Sequence, residues 1–283
     1  MGSVLTAIVL MSMQEAGAES GSARADEGML LIQTGPYSVK VFENVAWTMR
    51  DVDFEGRRLL VPIGWQQSVL NVKVPKGEDP WIGTGHGKEQ VESIRVVVDG
   101  NAHDLRQGLN VTGERFTVHK ESRLGPYHHT SNVTITPNGI LEHFTYTVEK
   151  DAAHVNFLYV FMHCFTNDTK TWVAGLPDGQ ETRGTFKDDM SFSLRRDVRW
   201  VMVYAPKTEV GAVYVFPEVY ASRNAEGNMF WNRDRDNKLY LQVAPATAIG
   251  DSFSYSVTLK AFTSTESQWE AAARKILAPL LEK

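Results

Sequence analysis

Imidazoles, carboxylates and aromatic rings recur two residues apart in this chain, the spacing that puts side chains on one face of a β-strand. Tyr214, Phe216, Glu218 and Tyr220 alternate along Ala212–Tyr220 and set a carboxylate in a row of rings. Tyr159, Phe161, His163 and Phe165 alternate along Val155–Phe165 and add an imidazole. If the two faces meet, His163 and Glu218 supply an acid and a base between stacking surfaces, which is chemistry suited to a sugar. Tyr214 would then line the substrate. A carboxylate in such company needs a cation, a polar cleft or a raised pKa.

Arg123-Leu-Gly-Pro-Tyr-His-His129 packs a guanidinium, a phenol and two imidazoles into one turn and the start of a strand. Guanidinium binds carboxylate in bidentate fashion, so Arg123 suits an acidic sugar. Tyr127 or His128 could move a proton. His128 and His129 point to opposite faces, so one at most faces a cleft. Alternation also puts Glu142 with Phe144 and Tyr146 on an apolar face, and His143 on the polar one. His86, in Gly85-His-Gly87, and Trp81 lie in a Gly- and Pro-rich stretch, residues 73–92, that reads as the longest loop. Trp231 lies in a second loop-like segment. His86, Trp81, His143, Tyr214 and Trp231 are the candidate substrate-binding residues.

No HExxH helix, EF-hand loop or Cys/His spacing is present, so no cofactor is expected. A metal held by His128, His143 and Glu142 is the alternative. The chain also lacks a GxSxG elbow, a P-loop and a dinucleotide-binding turn.

The elements that must position these groups read as strands. Beyond Met29 the pattern is overwhelmingly period two, punctuated by Asp99-Gly100, Pro137-Asn138-Gly139, Pro177-Asp178-Gly179 and Ile249-Gly250-Asp251. With 283 residues and 42% hydrophobic content, the chain can bury a large core. The expected fold is all-β, a large antiparallel β-sandwich with one C-terminal α-helix, and residues 29–283 form a single domain. Trp269, Ala272, Ile276 and Leu280 recur at helical spacing; the helix is expected over 265–282, capped by Ser264 or Thr265 and frayed by Pro279. Its apolar stripe should pack on the outside of the sheet.

Net charge is −5 with no basic block, which argues against a nucleic-acid partner. The one cysteine, Cys164, cannot form an internal disulfide and sits in an apolar run as a buried thiol. Val4–Met13 is a short apolar run, and Ala16-Gly-Ala18 has the small residues of a signal-peptidase site. No Lys or Arg precedes the run. Residues 1–28 are read as signal peptide and flexible leader, and the protein as secreted or periplasmic. The run is too short to remain as a membrane anchor, so no membrane insertion is expected after its removal.

Three segments resemble the galactose mutarotase-like β-supersandwich superfamily. Asn156–Asn167, ending His163-Cys-Phe-Thr-Asn167, is similar to a family strand that ends in His, an aromatic and Asn. Glu218 lies where that family places an acid on a late strand. Gly250-Asp-Ser-Phe-Ser-Tyr255, leading into Val257–Phe262, resembles the closing strand. The resemblance implies a supersandwich fold, with His163 as general acid and Glu218 as general base opening a sugar ring. The superfamily also holds polysaccharide lyase domains and non-catalytic modules. The expected function is therefore an exported carbohydrate-active enzyme, leaning to β-elimination on a uronate-containing glycan. In that reaction Arg123 would neutralise the carboxylate and Tyr127 or His128 would carry the proton. An epimerase-like ring opening and a non-catalytic carbohydrate-binding module are the alternatives.

Overall fold

The computed structural model describes residues 20–61, 67–83, 85–105, 108–217, 228–231, 237–243 and 246–282. In chain order the strands are β1 (Gly21–Asp26), β2 (Met29–Thr34), β3 (Tyr37–Phe42), β4 (Thr48–Phe54), β5 (Arg57–Leu60), β6 (Val69–Val72), β7 (Trp81–Gly83) and β8 (Gln90–Val98). They continue with β9 (Asn101–Asp104), β10 (Asn110–Gly113), β11 (Phe116–Leu124), β12 (Tyr127–Thr136), β13 (Gly139–Val148), β14 (Val155–Phe165) and β15 (Thr171–Gly175). The rest are β16 (Glu181–Thr185), β17 (Phe192–Arg195), β18 (Trp200–Ala205), β19 (Val210–Val215), β20 (Asn228–Trp231), β21 (Asn237–Val243) and β22 (Ser252–Thr263). One helix, α1 (Trp269–Leu281), follows them.

Two antiparallel sheets form the sandwich. The larger runs β10-β1-β2-β3-β4-β5-β14-β21-β20-β17, with β6 pairing β14 and β7. The smaller runs β16-β15-β18-β19-β22-β13-β12-β11-β8-β9. Alternation explains the layering: Ile32, Val39 and Phe161 from the larger sheet meet Phe144, Tyr214 and Val257 from the smaller in one continuous core. Each such side chain adds roughly 1.5–3 kcal/mol by leaving water. Ala261 N–H in β22 donates to Tyr37 Oη in β3 at 2.8 Å and ties the layers together.

The helix lies on the outside of the smaller sheet, as its apolar stripe predicts. Trp269 stacks on Tyr204 at 5.4 Å, and Ala273 and Leu277 are buried against Met202, Val213 and Phe262. Arg274 fastens it to β16 through Glu181 at 2.7 Å. The helix begins at Trp269 with Gln268 as its cap residue, three residues after Thr265, and it continues through Pro279 to Leu281. No helix among the described residues is long and apolar enough to cross a membrane.

Two sequence expectations are corrected. The leader does not extend to Gly28: Gly21–Asp26 is a strand between β2 and β10, with Ala23 and Ala25 buried. Its small side chains carry little hydrophobic signal, yet Gly21 is needed there, since a Cβ would lie 2.5 Å from Gln33 O. The stretch 73–92 is not all loop, because Trp81–Gly83 pairs with β6 and β8 starts at Gln90.

Candidate functional site: an aromatic platform on the larger sheet

The alternation of Val155–Phe165 predicts Tyr159 on the same face as Phe161 and His163. A β-bulge between Tyr159 and Phe161 separates them. A bulge inserts one extra residue and so reverses which side the following residues face. Leu158, Val160, Phe161 and Phe165 enter the core. Tyr159, Met162 and Cys164 turn outward and cluster with Val69, Trp81 and Tyr240. Cys164 is buried there and forms no disulfide.

That outer face carries a continuous set of rings. Trp81 from β7 stacks on Tyr159 from β14 at 5.8 Å and 17°. His86, just beyond β7, stacks on Trp81 at 5.6 Å. Phe157 lies 5.2 Å from Trp81. Tyr240 meets Tyr159 edge-on at 4.7 Å, and Phe192 follows at 6.4 Å with Arg195 over its ring. Trp81, His86, Phe157 and Tyr159 are partly exposed. Burial, and then the positive charge of Lys238, hold the His86 imidazole below its usual pKa.

A polar cluster borders the rings. Asn71 stands opposite both Trp81 and Phe157 in the sheet. Asn156 Nδ2 donates to Asn71 Oδ1 at 2.7 Å and to Asp79 Oδ2 at 3.0 Å. Amides and a carboxylate beside stacked rings match what a sugar needs: apolar ring faces against aromatics and hydroxyls against polar groups.

Among the expected site residues, the structure brings Trp81 and His86 together on this platform. Trp231 lies in β20 opposite Lys238 and Phe192 in the backbone register, and its side chain is outside the described part. Glu218 and Tyr220 lie outside the described residues.

The others are elsewhere. His163 is fully buried, with Nδ1 3.0 Å from Tyr214 Oη and Nε2 2.6 Å from Glu142 Oε1. It lines no cleft, because its strand face is the inter-sheet face. Tyr214 is sealed beside it, its phenol pushed well above its usual pKa by burial and then by Glu142. Phe216 joins the same core. Tyr127 is also interior, donating to Ala246 O at 3.0 Å, and burial raises its pKa. Neither tyrosine is placed to touch a substrate.

Arg123 is on the surface, bonded to Glu92 at 2.5 Å and 3.3 Å from Glu149. His128 is its cross-strand neighbour, 3.9 Å from the same Glu92. The acids of its own surface therefore occupy the expected carboxylate clamp. His143 sits on the outer face of the smaller sheet, bonded to Ser256 Oγ at 2.8 Å. Glu142 points into the core, as the alternation predicts, so it shares no face with His143 and the trio with His128 does not converge.

Sequence reasoning missed a second buried network. Glu89, whose side chain is 2% exposed, lies 2.8 Å from Lys120 Nζ and accepts from Ser122 Oγ at 2.7 Å. His129 Nδ1 is 3.6 Å from Glu89 Oε1. Lys120 also donates to Ala46 O at 3.0 Å. Burial alone would raise the Glu89 pKa, but the Lys120 charge and the contact with His129 bring it down to about 2. The only sequence signal was the period-two row Lys120, Ser122, Leu124, which gives no hint that Glu89 lies across from it.

Fold and site together define a two-sheet antiparallel sandwich with an aromatic platform on the open face of its larger sheet. The expected resemblance to galactose mutarotase-like proteins is found among solved structures. One such protein, from Lactobacillus casei, overlaps with a TM-score of 0.48 at 10% identity, over 83% of this chain and 100% of that one. A copper-containing benzylamine oxidase from Hansenula polymorpha overlaps at 0.45 and 9% identity, over 92% of this chain and 63% of that one. A heparan sulfate lyase from Pedobacter heparinus overlaps at 0.44 and 10% identity, over 86% of this chain and 37% of that one. No protein-family model and no curated protein matches the chain. A fold of this kind does not select a reaction; the side chains on it do.

Proposed function

We propose that this protein binds carbohydrate on the platform formed by Trp81, His86, Phe157 and Tyr159. One observation carries the reading: Trp81 and Tyr159 are stacked side by side, partly exposed, next to the Asn71–Asn156–Asp79 cluster. Rings held in register lose little freedom on binding, and the polar groups at their edge can meet sugar hydroxyls. Export rests on the Val4–Met13 run and Ala16-Gly-Ala18.

A catalytic reading is favoured by His86. Its imidazole is partly exposed on the platform and is biased to the neutral form, which can accept a proton. A sugar bound over Trp81 would lie against it.

A glycan panel scored for both retention and new product tests the two readings. Retention that falls at least tenfold in Trp81→Ala supports the platform. Product lost in His86→Ala while retention persists supports catalysis there. A panel with no retained glycan, or retention indifferent to Trp81→Ala and Tyr159→Ala, defeats the binding reading.

A further inference from the structure

On the opposite side of the sandwich, at the outer surface of the smaller sheet, a cavity of about 630 Å³ opens beside the end of α1. Pockets for small ligands run from roughly 300 to 1,000 Å³. Three cations line this one, Arg115, Arg199 and Lys260, and none of its lining residues is acidic.

The chain carries a net charge of −5. Several arginines elsewhere are paired: Arg58 with Asp51 and Asp53, Arg123 with Glu92 and Glu149, Arg274 with Glu181 and Glu270. The side chains of Arg115, Arg199 and Lys260 make no ion pair or hydrogen bond with any described residue. Three like charges around one hollow repel each other unless an anion enters.

The fold builds this hollow. Thr134, Leu141, Thr258 and Val215 stand opposite one another across β12, β13, β22 and β19 and form its floor. Lys260 lies along Gly139, where a Cβ would stand 3.1 Å from its Cγ. Leu141 and Leu281, 39% and 49% exposed, supply an apolar wall.

We infer that this cavity binds a small ligand bearing two or more acidic groups on a body with apolar faces. Arg115, Arg199 and Lys260 contact the acidic groups, and the wall of Leu141 and Leu281 covers the body. The inference stands apart from the platform, which lies on the other sheet.

Calorimetric titration of the full chain with pyrophosphate and, separately, with a galacturonate disaccharide tests it. At least one probe binds saturably, and added salt weakens it. Arg199→Ala and Lys260→Ala each weaken it by roughly tenfold, the effect of losing one charge-assisted hydrogen bond. Both titrations are repeated on Trp81→Ala, where the binding that remains belongs to this cavity, so failure here and failure of the platform are separable. Binding of the disaccharide identifies an acidic sugar; binding of pyrophosphate alone identifies an anion held by the cations without the apolar wall and removes Leu141 and Leu281 from the inference. The side chains of Arg199 and Lys260 make no ion pair or hydrogen bond with a described residue, so circular dichroism of the two variants matches the parent. No saturable binding of either probe, or affinity indifferent to both substitutions, overturns the inference.

Discussion

His163 Nε2 lies 2.6 Å from Glu142 Oε1, and both side chains have no exposure at all. The approach is close but not aligned as a hydrogen bond, so Nε2 and both Glu142 oxygens lack a directed partner. The imidazole's directed contact is the one to Tyr214. A polar trio closed between two sheets reaches no substrate. Its influence is on folding.

Removing one member therefore strands the others. Glu142→Ala is expected to cost on the order of 3–5 kcal/mol, the penalty for breaking a buried polar pair. The double variant Glu142→Leu, His163→Leu recovers most of that loss, because an apolar pair suits the site. Urea denaturation of the single and double variants measures both. A double variant as unstable as the single one would contradict the packing argument.

Tyr127→Phe deletes the hydrogen bond to Ala246 O and nothing else. The expected loss is about 1 kcal/mol of stability, with glycan retention unchanged. Arg123→Ala leaves the melting temperature and retention where they were, since its partners Glu92 and Glu149 stay solvated. A drop in product formation in either variant would return them to the reaction.

Glu89 gives the protein an acid-sensitive term. Its pKa falls from an ordinary 4.5 to about 2 on folding. A depressed carboxylate stabilises the fold fully above its unfolded value and loses that contribution as pH drops toward the folded one. The term amounts to something on the order of 3 kcal/mol at neutral pH and disappears between pH 4.5 and about 2. Glu89→Gln is less stable at neutral pH, with Lys120 left buried and unpaired, and its stability changes less over that window. Thermal melts across pH 2 to 6, compared for the two proteins, decide the point.

Gly175 lies under the Trp200 ring: a Cβ there would sit 2.1 Å from Trp200 Nε1. Gly175→Ala is expected to cost about 1–3 kcal/mol through overpacking. A melting temperature equal to that of the parent would show that Trp200 shifts freely.

If residues 1–18 act as a signal peptide, as proposed above, expression of the full chain in an exporting host releases protein that starts at Glu19. A cut after Ala18 leaves β1, which begins at Gly21, whole. N-terminal sequencing of the secreted fraction reads this directly, and material that keeps residues 1–18 inside the cell would count against export.

Alternation made the class of fold legible. Leu30–Thr34, Tyr37–Phe42 and Val155–Phe165 were readable as strands, and all three are present. The helix was readable from Trp269, Ala272 and Ile276 because a 3.6-residue period interrupts a period of two. β1 was missed because Gly-Ser-Ala-Arg-Ala-Asp carries too little apolar surface to stand out. Trp81 and His86 were singled out by type and setting, and the fold stacks one on the other. Tyr240 and Asn71 were not, since nothing in their own segments reveals that β21 and β6 flank β14.

A β-rich core, a terminal helix and a supply of rings and proton-transfer groups follow from residue type and period, which depend only on neighbours along the chain. That His163 faces inward and Tyr159 outward came from how the strand is seated between its neighbours. A strand in a sandwich has two faces, one for the core and one for the surface, and a single inserted residue exchanges them. Which groups share a hollow depends on the order of strands in the sheet, and that order is set by packing between segments far apart in sequence.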